Sequence, residues 1–285
     1  MLALPEQVLA ALNFVSGSTD RVDYGSAAVF DNIATSTRNS QLTAMGWVYA
    51  TSFADGRTIV SKFRNGNSGW VCRLFGATGD LNFQIFRTVN FTYTTTDAPV
   101  ATNTWTFVAC VADLTATNVG HIYTGTLTSL VKERSYSGTA TAGSGNVTDD
   151  SARSLFAGNG DRAAIIDGWP GRVAWVGVWD RALSLGEVRD QQFHPHKTSG
   201  NILFSHLGFN GTGAQADWSG FKNNGTVTGA TLAPHVPLGA PFTGASAGES
   251  EGLAYNPFKM DRMLAIRDSF DSSPLVLARR LKFYF

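Results

Sequence analysis

The sequence predicts an all-β sandwich domain that carries a separate C-terminal segment. The composition combines 30 glycines and 19 phenylalanines with only 15% charged residues, a balance typical of many strands joined by turns. Short apolar runs alternate with turn-forming residues along most of the chain, and no helical pattern separates them, which excludes a parallel α/β architecture. A chain of 285 residues can bury one large core.

Nine runs of strand length are enriched in β-branched or aromatic residues. Turn formers stand between them, including Asp55-Gly56, Asn65-Gly66 and the stretches 78–80 and 143–146. Many strands at this short spacing predict a sandwich or a barrel. The predicted strands are residues 42–49, 58–63, 70–75, 81–87, 91–95, 105–112, 120–124, 154–157 and 171–179.

One short helix is expected after the last of these strands. Ser184 and Glu187 have the spacing of a capping box, and Val188 and Gln191 continue the helical pattern. We expect this helix to close the sandwich.

Five sequence blocks follow one another between residues 11 and 192: A-L-N-F at 11–14, L-T-A-M-G-W-V at 42–48, I-V-S-K at 59–62, W-T-F-V-A at 105–109, and the stretch from W-P-G-R-V to R-A-L-S at 169–184. In this order they resemble laminin-G-like modules of the concanavalin A-like class, as found in bacteriophage virion and metagenomic proteins. The resemblance implies a two-sheet antiparallel jelly-roll sandwich. Two positions depart from the family pattern: Ala174 stands where an acidic residue is common, and Phe107 where a histidine is common.

The domain is expected to span residues 1–232. Residues 200–232 resemble an element that usually precedes the first strand of the family, with D-W-S-G at 217–220 and N-N-G-T-V at 223–227. Because the termini of a sandwich usually lie close together, this permuted element is expected to complete the same sandwich, with donation to a neighbouring molecule as the alternative.

The C-terminal part is predicted to be a linker followed by a partner-binding arm. Residues 233–254 are rich in Pro, Gly, Ala and Ser and cannot form a core. Residues 255–285 contain six basic and three acidic residues, in segments too short to bury their own apolar faces. The predicted partner-binding residues are Phe258, Met260, Met263, Leu264, Arg279, Arg280, Phe283, Tyr284 and Phe285.

Charge and cysteine content restrict the partners and the compartment. The 22 basic residues balance the 22 acidic ones, so neither nucleic acid nor an anionic membrane is an expected partner. No apolar run approaches a membrane span, and the first 14 residues make a poor secretory signal. Cys72 and Cys110 both lie in predicted strands, where two reduced core thiols are favoured and a cross-strand disulfide is the alternative.

The residues argue against catalysis. A glycoside hydrolase needs two carboxylates flanking the bond. Of the five glutamates, Glu133 is assigned to a charged turn and Glu187 to the capping box, while the others lie in terminal or linker segments. The G-A-S-A-G stretch at 244–248 lacks the strand and helix of a nucleophile elbow. His194 and His196 suggest a metal site only weakly.

Two kinds of binding site remain as candidates. The family resemblance makes calcium possible, with Asp20, Asp161 and Asp167 as ligands if their loops converge, although turn-capping roles explain the same aspartates. No other cofactor is expected. Trp169 and Trp218 could stack on a sugar ring, but core packing is the favoured interpretation of Trp169.

Two functions are consistent with these observations. The first is a non-enzymatic structural or decoration protein of a bacteriophage virion, assembled in the host cytoplasm, with the sandwich displayed outward and the arm docked on other virion proteins or on copies of itself. The alternative is a lectin-like adhesin module that recognises cell-surface glycans, with the arm as an oligomerisation device.

Overall fold

The computed structural model describes residues 10–238, except 36, 37, 39, 54, 55, 65–67, 116–118, 137–140 and 161–166. The strands in this part are β1 (Ala10–Phe14), β2 (Arg21–Asp23), β3 (Gln41–Ala50), β4 (Thr58–Arg64), β5 (Ser68–Phe75), β6 (Asp80–Ile85), β7 (Arg87–Val89), β8 (Phe91–Thr94), β9 (Trp105–Asp113), β10 (Val119–Thr126), β11 (Lys132–Glu133), β12 (Ser144–Val147), β13 (Phe156–Ala157), β14 (Gly171–Trp179), β15 (Asn201–His206), β16 (Thr226–Thr228) and β17 (Thr231–Pro234). The α-helix α1 spans Leu185–Phe193, and a 3-10 turn spans Ala28–Phe30.

The strands form two large antiparallel sheets, which confirms the predicted fold class. The first sheet has the order β11-β10-β9-β3-β14-β1-β17, and β15 also pairs with β14. The second has the order β16-β2-β13-β4-β5-β6-β8, and β12 and β7 form a separate pair. In the described part of the chain, no helix is long and apolar enough to cross a membrane.

The core lies between the two sheets, because alternate residues of the central strands point to it. In β3, Leu42, Ala44 and Val48 join the main cluster of buried apolar residues. Trp47 points to the other face, where its ring lies edge-on to Phe107 at 5.6 Å. Both faces of this sheet are therefore buried, so β3 is apolar almost throughout rather than alternating.

Helix α1 covers the outer face of the first sheet. Its capping box forms as predicted, because the Ser184 hydroxyl accepts from the Glu187 N–H and the Glu187 carboxylate accepts from the Ser184 N–H. The Trp47 indole N–H donates to the Gln192 carbonyl at 2.7 Å. The buried Gln192 amide donates to the carbonyls of Thr126 and Ser129 at 2.8 and 2.7 Å, and these bonds hold the helix on the sheet.

One predicted strand is divided in the structure. The run 81–87 becomes β6 and β7, because the Phe86 N–H donates to the Gly69 carbonyl and β7 then pairs with β12. Periodicity does not reveal this change of partner.

The segment 200–232 contributes strands to both sheets of the chain's own sandwich. β15 pairs with β14 and β17 pairs with β1 in the first sheet, whereas β16 pairs with β2 in the second. β17 ends at Pro234, and the compact unit that holds the sheets ends at Val236, so the first residues of the predicted linker belong to the last strand. The rest of the linker beyond residue 238, and all the predicted arm residues, lie outside the described residues.

Candidate functional site

The loop between β15 and β16 is organised around the buried carboxylate of Asp217. Its Oδ1 accepts from the N–H groups of Phe204 and Ser219 at 3.2 and 2.9 Å, and its Oδ2 accepts from the Asn223 N–H at 3.0 Å. The Asp217 N–H in turn donates to the Asn224 Oδ1 at 3.0 Å. A single side chain thus ties both ends of the loop tip to strand β15.

A second buried side chain, Gln215, fixes the base of the same loop. Its Oε1 accepts from the Gly208 N–H at 2.7 Å, and its Nε2 donates to the carbonyls of Gly211 and Gly213 at 3.1 and 2.6 Å. Its backbone also forms an antiparallel bridge with Gly225. Because the backbone and the side chain of Gln215 are hydrogen-bonded to several residues of the loop, the loop is already ordered before a ligand binds.

Two aromatic side chains stand out from this loop. Trp218 is 41% exposed and Phe221 is 54% exposed, and Gly220 between them has φ +106°, a conformation that favours glycine. Phe209 lies edge-on to Trp218 with ring centroids 6.1 Å apart. Trp218 therefore has the partial exposure that sugar stacking requires. We call Trp218 and Phe221 the aromatic tip.

A polar groove of about 420 Å³ lies at the edge where β16 pairs with β2, directly after this loop in the chain. Its volume is within the usual range for small-ligand sites. The Asp23 Oδ1 accepts from the Gly25 N–H at 2.8 Å. Asn224 belongs both to the groove and to the hydrogen bonds around Asp217. The groove is lined by Arg21, Asp23, Tyr24, Gly25, Asn224, Thr226 and Thr228.

Arg21 is the cationic group of this groove. Its guanidinium lies 5.8 Å from the centre of the Phe156 ring, within the range of a cation–π contact. Its Nη1 donates to the Thr19 carbonyl at 3.1 Å. These contacts orient a planar donor group beside threonine hydroxyls and an amide, a set that can bind a polyhydroxylated ligand. Sequence analysis missed this groove because its residues come from segments 200 positions apart.

The structure corrects the choice of Trp169 as a ligand-binding residue. Its side chain is 0% exposed, and its indole N–H donates to the Tyr49 carbonyl at 3.3 Å. Neither ring face can reach a ligand, so Trp169 is the core residue that the favoured interpretation expected.

Two of the candidate calcium ligands, Asp20 and Asp167, are buried and form hydrogen bonds within the protein. Asp20 is buried and its Oδ2 accepts from the Val15 N–H at 2.9 Å, which closes the turn after β1. Asp167 is also buried, and its backbone carbonyl accepts from the Thr58 N–H at 2.9 Å. Asp161 lies outside the described residues. Within the described part, no three His, Cys, Asp or Glu side chains are grouped as metal ligands would be, and the calcium ligand set stays a prediction.

An acidic cluster that sequence analysis missed surrounds Lys62. The Lys62 side chain is fully buried in β4, with its Nζ 2.9 Å from the Asp31 Oδ1 and 3.8 Å from the Asp150 Oδ1. It also donates to the Arg153 carbonyl. Burial raises the pKa of Asp150 to about 6, although the Asn32 N–H and the Lys62 charge act to lower it. The Lys62 ammonium group is in contact with the carboxylates of Asp31 and Asp150, so the cluster contains a positive charge of its own.

Both glutamates in the described part have structural partners. Glu133 lies in strand β11, not in a turn as predicted, and it pairs with Tyr123 of the neighbouring strand β10. Its Oε1 lies 2.6 Å from the His121 Nδ1. Glu187 pairs with Arg181 at 2.7 Å, and this ion pair and the capping box lower its pKa to about 2. Neither carboxyl group lies in the polar groove.

The comparisons with known proteins agree with this architecture. A family model described as the concanavalin A-like lectin/glucanases superfamily, Laminin_G_3, matches residues 22–189, more than half of the chain. No curated protein sequence matches the chain.

Solved structures of similar fold come from several organisms. A Bacteroides ovatus protein for which carbohydrate binding is proposed has a TM-score of 0.56 and 19% identity over 82% of this chain. The chain covers 62% of that protein, less than two thirds of its length. The heptameric SAP-like pentraxin of Limulus polyphemus has a TM-score of 0.52 and 12% identity, with 82% of this chain and 98% of the pentraxin covered.

A third similar structure is the tailspike protein 2 of an Escherichia coli O157:H7 bacteriophage. Its TM-score is 0.42 and its identity 14%, with 72% of this chain and 31% of the tailspike covered. At such identities the likeness concerns the fold alone. The family match, the two-sheet sandwich and the capped closing helix lead to one assignment: the chain belongs to the Laminin_G_3 family of the concanavalin A-like lectin/glucanases superfamily.

Proposed function

We propose that this protein is a non-enzymatic carbohydrate-binding protein whose ligand contacts the aromatic tip and the polar groove, which Asn224 connects to the same loop. The observation that carries the proposal is the pair of exposed aromatic residues on a loop that Asp217 and Gln215 hold rigid. Tryptophan is enriched at binding interfaces because its ring is apolar while its N–H can hydrogen-bond, and neighbouring exposed apolar side chains are candidates for an interaction site.

The two parts of this surface suit the two faces of a sugar. The flat ring of Trp218 offers an apolar surface for the C–H face of a pyranose, while Arg21, Asn224 and Thr226 offer hydrogen-bonding groups for its hydroxyls. Because the loop is already ordered, binding loses little conformational entropy. The described role of the similar Bacteroides ovatus protein supports the same class of ligand.

A glycan array, followed by isothermal titration calorimetry with any oligosaccharide retained, tests this proposal. We expect Trp218→Ala to weaken binding by at least about tenfold, because an aromatic anchor at a binding site contributes on the order of 2 kcal/mol. Phe75→Ala is the matched control, since Phe75 is an aromatic residue of 47% exposure outside this loop. No retained glycan, or equal affinities of both variants, would contradict the proposal.

We also propose, as a second function, that the protein is a structural or decoration component of a bacteriophage virion. Support comes from the sequence of residues 255–285, in which apolar residues and a local excess of positive charge occur together in segments too short to bury their own apolar faces. In this proposal the segment docks on other virion proteins or on copies of the chain, the sandwich faces outward, and the protein is located in the virion.

Sedimentation velocity of the full chain and of a truncation that ends at Val236 tests the role of this segment. The truncation keeps all of β17, which ends at Pro234, so its melting temperature should stay within about 2 °C of the full chain. We expect the full chain to form assemblies of many copies and the truncated chain to sediment as a monomer. Unchanged sedimentation with an unchanged melting temperature would contradict self-association through the segment.

A further inference from the structure

The two cysteines of the chain meet across the centre of the sandwich. Cys72 lies in β5 of the second sheet and Cys110 in β9 of the first. Their Sγ atoms are 2.6 Å apart, so the two free thiol side chains are in direct contact. A cross-strand disulfide, the alternative to two reduced core thiols, would here join β5 of one sheet to β9 of the other.

The position of the pair makes it a connection between the two sheets. β5 lies between β4 and β6, and β9 lies between β3 and β10. The residues beside the cysteines across these strands are Val60 and Phe83 for Cys72, and Ala44 and Ile122 for Cys110. All four neighbours are buried and apolar, so no polar group competes with one sulfur for the other.

We propose that Cys72 and Cys110 form a disulfide that joins the two sheets when the chain folds in the presence of a disulfide oxidant such as oxidised glutathione. One thiolate attacks the oxidant and releases one molecule of reduced glutathione. The second thiolate then displaces the other glutathione from the mixed disulfide. In total, two thiols are oxidised to one protein disulfide, and one glutathione disulfide is reduced to two glutathione thiols.

The folded protein should protect whichever redox state it acquired during folding. Both cysteines are at most 1% exposed, so neither oxidant nor reductant reaches them without opening of the sandwich. Burial and the contact with Cys72 raise the pKa of the Cys110 thiol well above its usual range, which further reduces the reactive thiolate. We therefore expect oxidation at folding and slow exchange afterwards.

A disulfide here should stabilise the sandwich appreciably. The bond links residues 38 positions apart, and closing a loop of this length restricts the unfolded chain. For a domain of this size, the expected increase in melting temperature is on the order of 10 °C.

The test is to refold the full chain in oxidised or in reduced glutathione, then to denature it, alkylate it with iodoacetamide and weigh it. We expect no alkylation and a loss of two hydrogens after oxidative refolding, and two alkylated cysteines after reductive refolding. Two alkylated cysteines, or glutathione adducts alone, after oxidative refolding would overturn the proposal.

Melting curves provide the second measurement. Wild type should melt on the order of 10 °C higher after oxidative refolding, whereas Cys72→Ala and Cys110→Ala should melt at the same temperature in both buffers. A wild type that forms the bond without any increase would overturn the stabilising role. If either variant fails to fold, the alkylation experiment on wild type still decides the question.

Discussion

The substitution Asp217→Ala tests the central claim about the candidate site, that one carboxylate holds the loop in place. It removes the acceptor of three backbone N–H groups, from Phe204, Ser219 and Asn223. Each buried N–H that loses its partner costs about 1–3 kcal/mol. The bonds to Phe204 and Ser219 are buried, whereas the Asn223 N–H is half-buried and can recover a water molecule.

Counting the two buried groups, we expect Asp217→Ala to lower the free energy of unfolding by about 2–6 kcal/mol. Asp217→Asn should lose less, because the amide keeps one oxygen acceptor. The assay is urea denaturation followed by tryptophan fluorescence, with the slope compared to confirm that the same transition is measured.

Asp190→Ala is the matched control for this experiment. Asp190 is exposed on helix α1, so the same chemical change should alter stability by less than about 0.5 kcal/mol. If Asp217→Ala also lowers stability by less than about 1 kcal/mol, with an unchanged slope, the three hydrogen bonds do not hold the loop and the reasoning fails.

Two further predictions concern buried charge. Burial and the nearby His235 lower the pKa of His206 from 6.5 to about 4, so unfolding takes up a proton when the pH lies between these two values. From pH 7 to pH 5, wild type should therefore lose on the order of 1–2 kcal/mol more free energy of unfolding than His206→Asn, measured by urea denaturation. Equal losses in the two proteins would refute this prediction. Lys62→Met leaves the buried Asp150 without its counter-charge and should cost about 3–5 kcal/mol at pH 7. Because Asp150 has a raised pKa of about 6, its protonation at pH 5 should recover part of the stability that Lys62→Met loses. The exposed control Lys132→Met should change the free energy of unfolding little at either pH. An equal loss for Lys62→Met at both pH values would contradict this prediction.

Local patterns were sufficient for the long strands, the start of the helix and the family. Strand-length apolar runs and turn residues predicted β3 and β9, and the spacing of Ser184 and Glu187 predicted the start of α1. These features depend on neighbours within a few residues, which the sequence displays directly. The family blocks are also local, so the resemblance could be read before any contact was known.

Long-range contacts decided the site. Trp169 and Trp218 are equally aromatic in the sequence, yet one lies in the core and the other is exposed on a loop. Lys62 meets carboxylates from distant segments, and Cys72 meets Cys110 only because two sheets stack face to face. The sequence by itself determined the long strands, such as β3 and β9, and where the helix begins. Only the tertiary structure decided which side chains are exposed or adjacent, because that depends on how the sheets pack and not on the neighbours along the chain.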